Sequence, residues 1–110
     1  CDVFSPCAVG AIFTESSINN LNCKIIAGGA NNQLLDASIA DELQSKGIVF
    51  IPDILINSGG VIGLTKDLLG RNKTQTDKAL KDIANRVKNI MIFSKEKSIS
   101  IFEGLKIQEL

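Results

Sequence analysis

Residues 48–53 read IVFIPD, and this short stretch decides the fold. A continuous run of four apolar residues is typical of a strand that is buried on both faces of a parallel sheet. Pro52 ends the run, because a proline has no N–H group to donate to the neighbouring strand. Parallel strands must be joined by crossover connections, so helices are expected on either side of this strand in the chain.

Upstream of this strand, the sequence predicts two more strands, a short helical or irregular stretch between them, and one further helix. Residues 1–4 read as the end of a strand that runs into Ser5 and Pro6, and residues 23–27 as a buried strand closed by two glycines. Between the second and third strands, Ser38 is predicted to cap a helix that ends at Gly47. The order is strand, helix, strand, helix, strand.

Downstream, the sequence predicts only helices. One is expected to begin near Asn57 or Ser58 and to run toward Leu69, and the next to be capped by Thr74 and Asp77. A final amphipathic segment covers residues 101–110. Together these elements predict an α/β fold: one half of a doubly wound, Rossmann-type sheet with about three parallel strands, followed by C-terminal helices.

Composition excludes several classes of protein. The chain has 110 residues, is 45% hydrophobic and has a formal net charge of zero, which fits one globular domain and argues against a nucleic-acid binder. No stretch approaches the roughly 18 apolar residues of a membrane span. Three cysteines without a histidine or a secretory signal predict no metal site and favour a reducing cytoplasm. The excess of basic residues in 66–97 fits either a solvated helix face or an anion-binding surface.

Three small, polar or glycine-bearing segments follow the three predicted strands: residues 5–8, 28–32 and 54–60. Ligands bind beyond the carboxyl ends of the strands in open α/β sheets, so these segments are a candidate binding edge. Each is also compatible with an ordinary turn or helix cap. Asp53 is predicted to begin a helix or to cap a loop. The acidic residues show no pairing that indicates general acid–base catalysis.

Taken together, residues 1–10, 26–34 and 52–62 resemble the glutamate, leucine, phenylalanine and valine dehydrogenases, and within that family they are most similar to leucine dehydrogenase. The resemblance implies NAD-dependent oxidative deamination of an amino acid to a 2-oxo acid and ammonia. It also implies that residues 1–70 are the second half of a dinucleotide-binding Rossmann domain. Residues 71–110 would then be C-terminal helices that pack on that domain.

The resemblance also implies roles for individual residues. Cys7, Ala8, Ala30 and Asn31 would lie along the nicotinamide-side ribose of NAD, and Asn57 would hold the nicotinamide carboxamide. Val61 and Leu64 would line the pocket for the substrate side chain. Apolar residues at both of these positions suit leucine or a similar branched-chain amino acid.

The family's catalytic lysines and aspartate and its glycine-rich pyrophosphate loop have no counterpart in this sequence. We therefore expect a portion of a subunit that is inactive alone, with no catalytic residue of its own. The expected partners are an amino-acid substrate in the full-length enzyme and further copies of the chain in a homo-oligomer, with no nucleic acid and no membrane. The alternative is a truncated, non-catalytic module that binds a nucleotide or self-associates, through the basic helix at 73–97 or an exposed sheet edge.

Overall fold

The computed structural model describes residues 1–109. Its elements, in chain order, are β1 (Val3–Phe4), α1 (Glu15–Ile18), β2 (Ile25–Ile26), α2 (Ser38–Ser45), β3 (Val49–Phe50), α3 (Asp53–Ile56), α4 (Gly59–Leu64), α5 (Lys73–Lys97) and α6 (Ile101–Glu109).

The three strands form one parallel sheet in the order β1, β2, β3. Ile26 of β2 lies between Phe4 and Phe50 of its two neighbours, and Ile25 lies between Val3 and Val49. The predicted α/β fold with three parallel strands is confirmed. All three carboxyl ends therefore meet at the same edge of the sheet.

The third strand of the sheet is packed on both faces by two separate clusters of apolar side chains. Ile26 and Phe50 belong to the first, which is closed by α2 and by Phe13. Ile51 belongs to the second, which is closed by α3, α5 and α6. Since successive strand residues point to opposite faces, the run at 48–51 contributes to both clusters, as its lack of alternation predicted.

The helix predicted to begin near Asn57 or Ser58 is confirmed in its start but is shorter than expected: α4 begins at Gly59, with Ser58 at its N-cap position, and ends at Leu64, not near Leu69. A separate short helix, α3, begins directly after Pro52. Asn57 ends α3, and its backbone N–H donates to the carbonyl oxygen of Asp53 at 2.8 Å. The side chain of Asn57 is consequently not used as a cap.

Two predicted helix caps are also displaced. Helix α5 is capped by Asn72 and Gln75, which exchange backbone-to-side-chain hydrogen bonds of 2.8 and 2.9 Å, and not by Thr74 and Asp77. Ser38 does not cap α2 but donates its backbone N–H and its hydroxyl to the carboxylate of Asp36.

The long helix α5 and the last helix α6 pack against each other over the face of the sheet opposite α2. Ser98, in the left-handed region at φ 56°, ends α5, and Gly104 of α6 lies against Ser94 of α5. The last residue of the predicted amphipathic segment, Leu110, lies outside the described residues. None of the helices described in 1–109 is long and apolar enough to cross a membrane.

Candidate functional site

Three loops follow the carboxyl ends of the strands and touch one another in sequence order. We call them together the rim: residues 5–11 after β1, residues 28–32 after β2, and residues 53–58 after β3, the third of which contains the single-turn helix α3. The first two loops are joined by backbone hydrogen bonds. Ala30 donates to the carbonyl oxygen of Pro6 at 3.0 Å, and Ala11 donates to that of Asn32 at 2.7 Å.

The first two loops approach so closely that glycine is required between them. A Cβ atom added at Gly28 would lie 2.5 Å from both the backbone N and the Cδ of Pro6 and would overlap the carbonyl oxygen of Pro6. One added at Gly10 would lie 2.7 Å from the carbonyl oxygen of Asn31. The backbones of the two loops are therefore in direct contact, which a side chain at either glycine would prevent.

The second and third loops are joined through side chains. The Nδ2 amide of Asn57 donates to Oδ1 of Asn31, so the two predicted cofactor asparagines form a pair. The backbone N–H of Asn32 donates to Oδ2 of Asp53 at 3.0 Å. Asp53 thus has a partner in a different loop, which the sequence could not indicate because the two residues lie 21 positions apart.

The side chain of Gln33 stabilises the second loop through hydrogen bonds to its backbone. Its side chain is fully buried, and Nε2 donates to the carbonyl oxygens of both Gly28 and Ala30 at 2.8 Å. These bonds hold the turn that follows β2 in one conformation. The sequence analysis assigned no role to Gln33. The only signal for a buried role was its position directly before the apolar pair at 34–35.

The predicted cofactor residues present different groups at the rim. Cys7 and Ala8 are exposed in the first loop and Asn31 in the second, and Asn57 is half-buried in the third. Because Ala30 is buried, a ligand at the rim would contact its backbone and not its methyl group.

The pKa of the Cys7 thiol, in the first loop of the rim, is lowered. Its sulfur lies 3.4 Å from the Ser5 hydroxyl. That hydroxyl first, and the backbone N–H of Gly29 second, lower the pKa of the thiol below its ordinary value, because both stabilise the thiolate. A lowered pKa increases the fraction of reactive thiolate near neutral pH.

We expect Ser5→Ala to move the alkylation of Cys7 to higher pH. Loss of the hydroxyl removes the largest contribution that lowers the thiol pKa, so the thiolate appears only at a more alkaline pH. The measurement is the rate of iodoacetamide reaction against pH, with Cys1 and Cys23 replaced by serine so that only Cys7 reacts. A rate profile unchanged by Ser5→Ala would contradict the assignment of the Ser5 hydroxyl as the main cause.

The two predicted substrate residues are not enclosed by the described part of the chain. Val61 and Leu64 lie one turn apart on α4 with 63% and 86% of their surface exposed. Leu68, which follows in the next turn, is 84% exposed. These three exposed apolar residues follow the rim in the chain.

One cavity in the described part of the chain contains no predicted site residue. It has a volume of about 310 Å³ and is formed by α2, the start of β3, α5 and α6, with Ile48, Phe50, Met91 and Phe102 in its walls. Ile48 precedes β3, whereas the rim follows it. None of the residues that line the cavity belongs to the rim.

Comparison with known proteins identifies the family. The sequence matches the family model described as glutamate/leucine/phenylalanine/valine dehydrogenase over residues 1–107. The chain belongs to this dehydrogenase family. It is 41% identical over 99 residues to leucine dehydrogenase from Thermoactinomyces intermedius, and 36% identical over 103 residues to phenylalanine dehydrogenase from Caldalkalibacillus thermarum. The resemblance predicted from residues 1–10, 26–34 and 52–62 is confirmed.

The fold of the chain is also that of a solved dehydrogenase. It superimposes on L-tryptophan dehydrogenase from Nostoc punctiforme with a TM-score of 0.89, at 33% sequence identity and over 96% of this chain. The matched region is 32% of that structure, and 27% and 28% of the leucine and phenylalanine dehydrogenases. This member of the dehydrogenase family thus spans less than a third of the length of these relatives.

Proposed function

We propose that the chain is the nicotinamide-binding portion of an NAD-dependent amino-acid dehydrogenase. The full-length enzyme would catalyse the oxidative deamination of leucine or a similar branched-chain amino acid to the 2-oxo acid and ammonia. The observation that carries this proposal is the pair formed by Asn31 and Asn57 at the rim of a dehydrogenase-family fold.

The chemistry of the paired amides fits a carboxamide ligand. Since Asn57 donates through Nδ2 to Oδ1 of Asn31, the Oδ1 atom of Asn57 and the Nδ2 atom of Asn31 are free of this bond. One is an acceptor and the other a donor, which is the combination that a primary amide requires. Cys7 and Ala8, together with the backbone at Ala30 and Asn31, would line the adjacent ribose.

When bound, NAD supplies the acceptor for the hydride that leaves the substrate. The residues of this chain would fix the orientation of the ring and exclude water from one side of it. The pairing of Asn57 with Asn31 supports such a role, because an amide held by another side chain keeps its orientation before the ligand arrives.

The exposed apolar residues that follow the rim support an apolar substrate side chain. Val61 and Leu64 carry branched aliphatic groups on α4, which begins two residues after Asn57 at the end of α3. Members of the family with leucine, phenylalanine and tryptophan in their names are all similar to this chain, and each of these amino acids has a large apolar side chain. Our choice of a branched-chain amino acid depends on the moderate size of Val61 and Leu64.

The remaining expectations concern the whole protein. Relatives more than three times as long support the view that residues 1–70 are half of a dinucleotide-binding domain and that 71–110 pack on it. We propose that the chain alone is inactive and that the full-length subunit is cytoplasmic and forms a homo-oligomer. Reduction of NAD by leucine with the isolated chain would contradict the first of these statements.

Asn57→Ala tests the proposed function in the full-length polypeptide that carries this chain. We expect kcat/KM for NAD to fall about tenfold, the amount by which loss of one ligand hydrogen bond commonly weakens an interaction. The effect should be far smaller with the 3-acetylpyridine analogue of NAD, which lacks the carboxamide nitrogen. Steady-state rates, measured with each cofactor in turn and with the same amino acid, give the ratio of kcat/KM for NAD to kcat/KM for the analogue.

Asn89→Ala is the matched control, since Asn89 is an exposed asparagine on α5. It should leave the preference for NAD over the analogue unchanged. If the Asn57 variant keeps the full preference for NAD over the analogue, Asn57 does not hold the carboxamide. If the unsubstituted full-length protein has no NAD-dependent activity on amino acids, the proposed function is wrong.

A self-associating, non-catalytic module is the second candidate, and the exposed apolar side chains favour it. Val3 on the edge strand β1 is 52% exposed, and Leu64 and Leu68 are more exposed still. An apolar edge strand of this kind invites pairing with another chain. Light scattering of the isolated chain that shows a stable dimer, together with no response to NADH, would favour this candidate.

A further inference from the structure

We propose that Asp53 is the positioning residue of the nicotinamide site and that it acts through both asparagines of the rim without touching the ligand. This inference rests on the function proposed above. It assigns to a carboxylate in the third loop the task of setting the geometry between Asn31 and Asn57.

The carboxylate of Asp53 holds the second loop. Only 9% of the residue is exposed, and Oδ2 accepts the backbone N–H of Asn32 at 3.0 Å. Asn32 has a φ of 53°, in the left-handed region that L residues rarely adopt. A charged acceptor makes a stronger hydrogen bond than a neutral one, so it can hold the backbone in this conformation. Asn31, directly before it, is held with it.

The backbone of Asp53 holds the third loop. Its carbonyl oxygen accepts the N–H of Asn57 at 2.8 Å, which closes the single turn of α3. Pro52, whose φ is fixed by its ring, directly precedes Asp53 and sets the start of that turn. The orientation of Asn57 is therefore tied to the same residue that binds Asn32.

One residue thus connects the two halves of the asparagine pair. The hydrogen bond between Asn57 Nδ2 and Asn31 Oδ1 forms only if both loops keep their relative position. The carboxylate of Asp53 is the other side chain that joins these loops. Without this carboxylate, Asn31 and Asn57 would still be present but would no longer be held in a fixed position relative to each other.

The test compares Asp53→Ala and Asp53→Asn in the full-length polypeptide. We expect Asp53→Ala to raise KM for NAD about tenfold and to reduce the preference for NAD over its 3-acetylpyridine analogue by a similar factor, because the alignment for the carboxamide is lost. KM for the amino acid should stay close to its original value. Asp53→Asn keeps an acceptor oxygen without the charge, so it should lower the preference about two- to threefold.

Asp36→Ala is the matched control. Asp36 lies in the same region after β2, and its carboxylate accepts from Ser38, outside the rim. It should leave the cofactor preference unchanged.

The outcomes separate the two proposals. A purely structural role for Asp53 would lower activity with both cofactors equally, and an unchanged preference in either Asp53 variant would overturn the inference. If Asp53→Ala does not fold, the preference measured with Asp53→Asn decides. If the unsubstituted protein itself has no NAD-dependent activity, the proposed function fails and this inference fails with it.

Discussion

Replacing Gly28 with alanine is expected to destabilise the chain by about 3 kcal/mol and to abolish the NADH binding that we propose for the rim. The new Cβ atom would overlap the carbonyl oxygen of Pro6 and lie 2.5 Å from its backbone N. Both are backbone positions, so no side-chain rotation can relieve the overlap. The first two loops would have to separate, which breaks the hydrogen bond from Ala30 to Pro6.

The neighbouring glycine is a sharp control for this prediction. Apart from its chain neighbours, an added Cβ at Gly29 would have no described atom within 4 Å, and Gly29 does not have a positive φ. Gly29→Ala should therefore change stability by less than about 0.5 kcal/mol, as ordinary surface substitutions do.

Urea unfolding and NADH fluorescence titration measure the two effects. Each variant removes one glycine from the same loop, but only Gly28→Ala creates a steric overlap. A difference in stability between the two variants therefore reports the overlap and not the loss of a glycine. Equal stability of the Gly28 and Gly29 variants would show that the loops do not approach as closely as described. Normal NADH binding by a destabilised Gly28 variant would show that the contact between the first two loops is not needed for the site.

The sequence was sufficient for those parts of the fold that depend on local patterns. The unbroken apolar run at 48–51 predicted a strand buried on both sides, and its residues do contribute to both hydrophobic clusters. The glycine and polar residues after each strand predicted loops at one edge. The rule that parallel strands need crossover connections predicted helical segments between the strands, and α1 and α2 lie there in the chain.

Features that depend on contacts between distant residues could not be predicted. Asn57 and Ser58 have the composition of a helix N-cap, yet Asn57 ends a helix and bonds to Asn31, 26 positions away. Asp53 was predicted to begin a helix or to cap a loop, and it does begin α3, but the sequence could not indicate that its carboxylate binds Asn32. The residue type alone allows several local hydrogen-bonding roles, and in each case a partner far away in the sequence determines which contacts the side chain makes.

The second large effect is expected at Gly104, where α6 meets α5. A Cβ atom there would overlap Oγ of Ser94 and lie 3.2 Å from its Cβ. Overpacking of this kind costs up to about 3 kcal/mol. Alanine's better helix propensity offsets about 1 kcal/mol of it. Gly104→Ala should therefore destabilise the chain by about 2 kcal/mol, measured by urea unfolding.

Gly63→Ala is the matched control, since Gly63 also lies in a helix but an added Cβ there would meet no described atom within 4 Å. It should be neutral or slightly stabilising, because it has the gain in helix propensity without the overlap. A Gly63 variant as unstable as the Gly104 variant would mean that the loss at Gly104 does not come from the contact with α5.

Ser94→Ala completes a double-mutant cycle that locates the overlap. Ser94 is 2% exposed, and its hydroxyl has no hydrogen-bond partner among the described residues, so its removal should be neutral or stabilising by about 1 kcal/mol. Because alanine at 94 also removes the atom that a Cβ at 104 would overlap, the double variant should lose less stability than the two single changes predict. We expect a coupling of about 1 kcal/mol between the two positions. Strict additivity would mean that the hydroxyl of Ser94 does not face Gly104, and the packing of α6 on α5 would then have to differ from the one described.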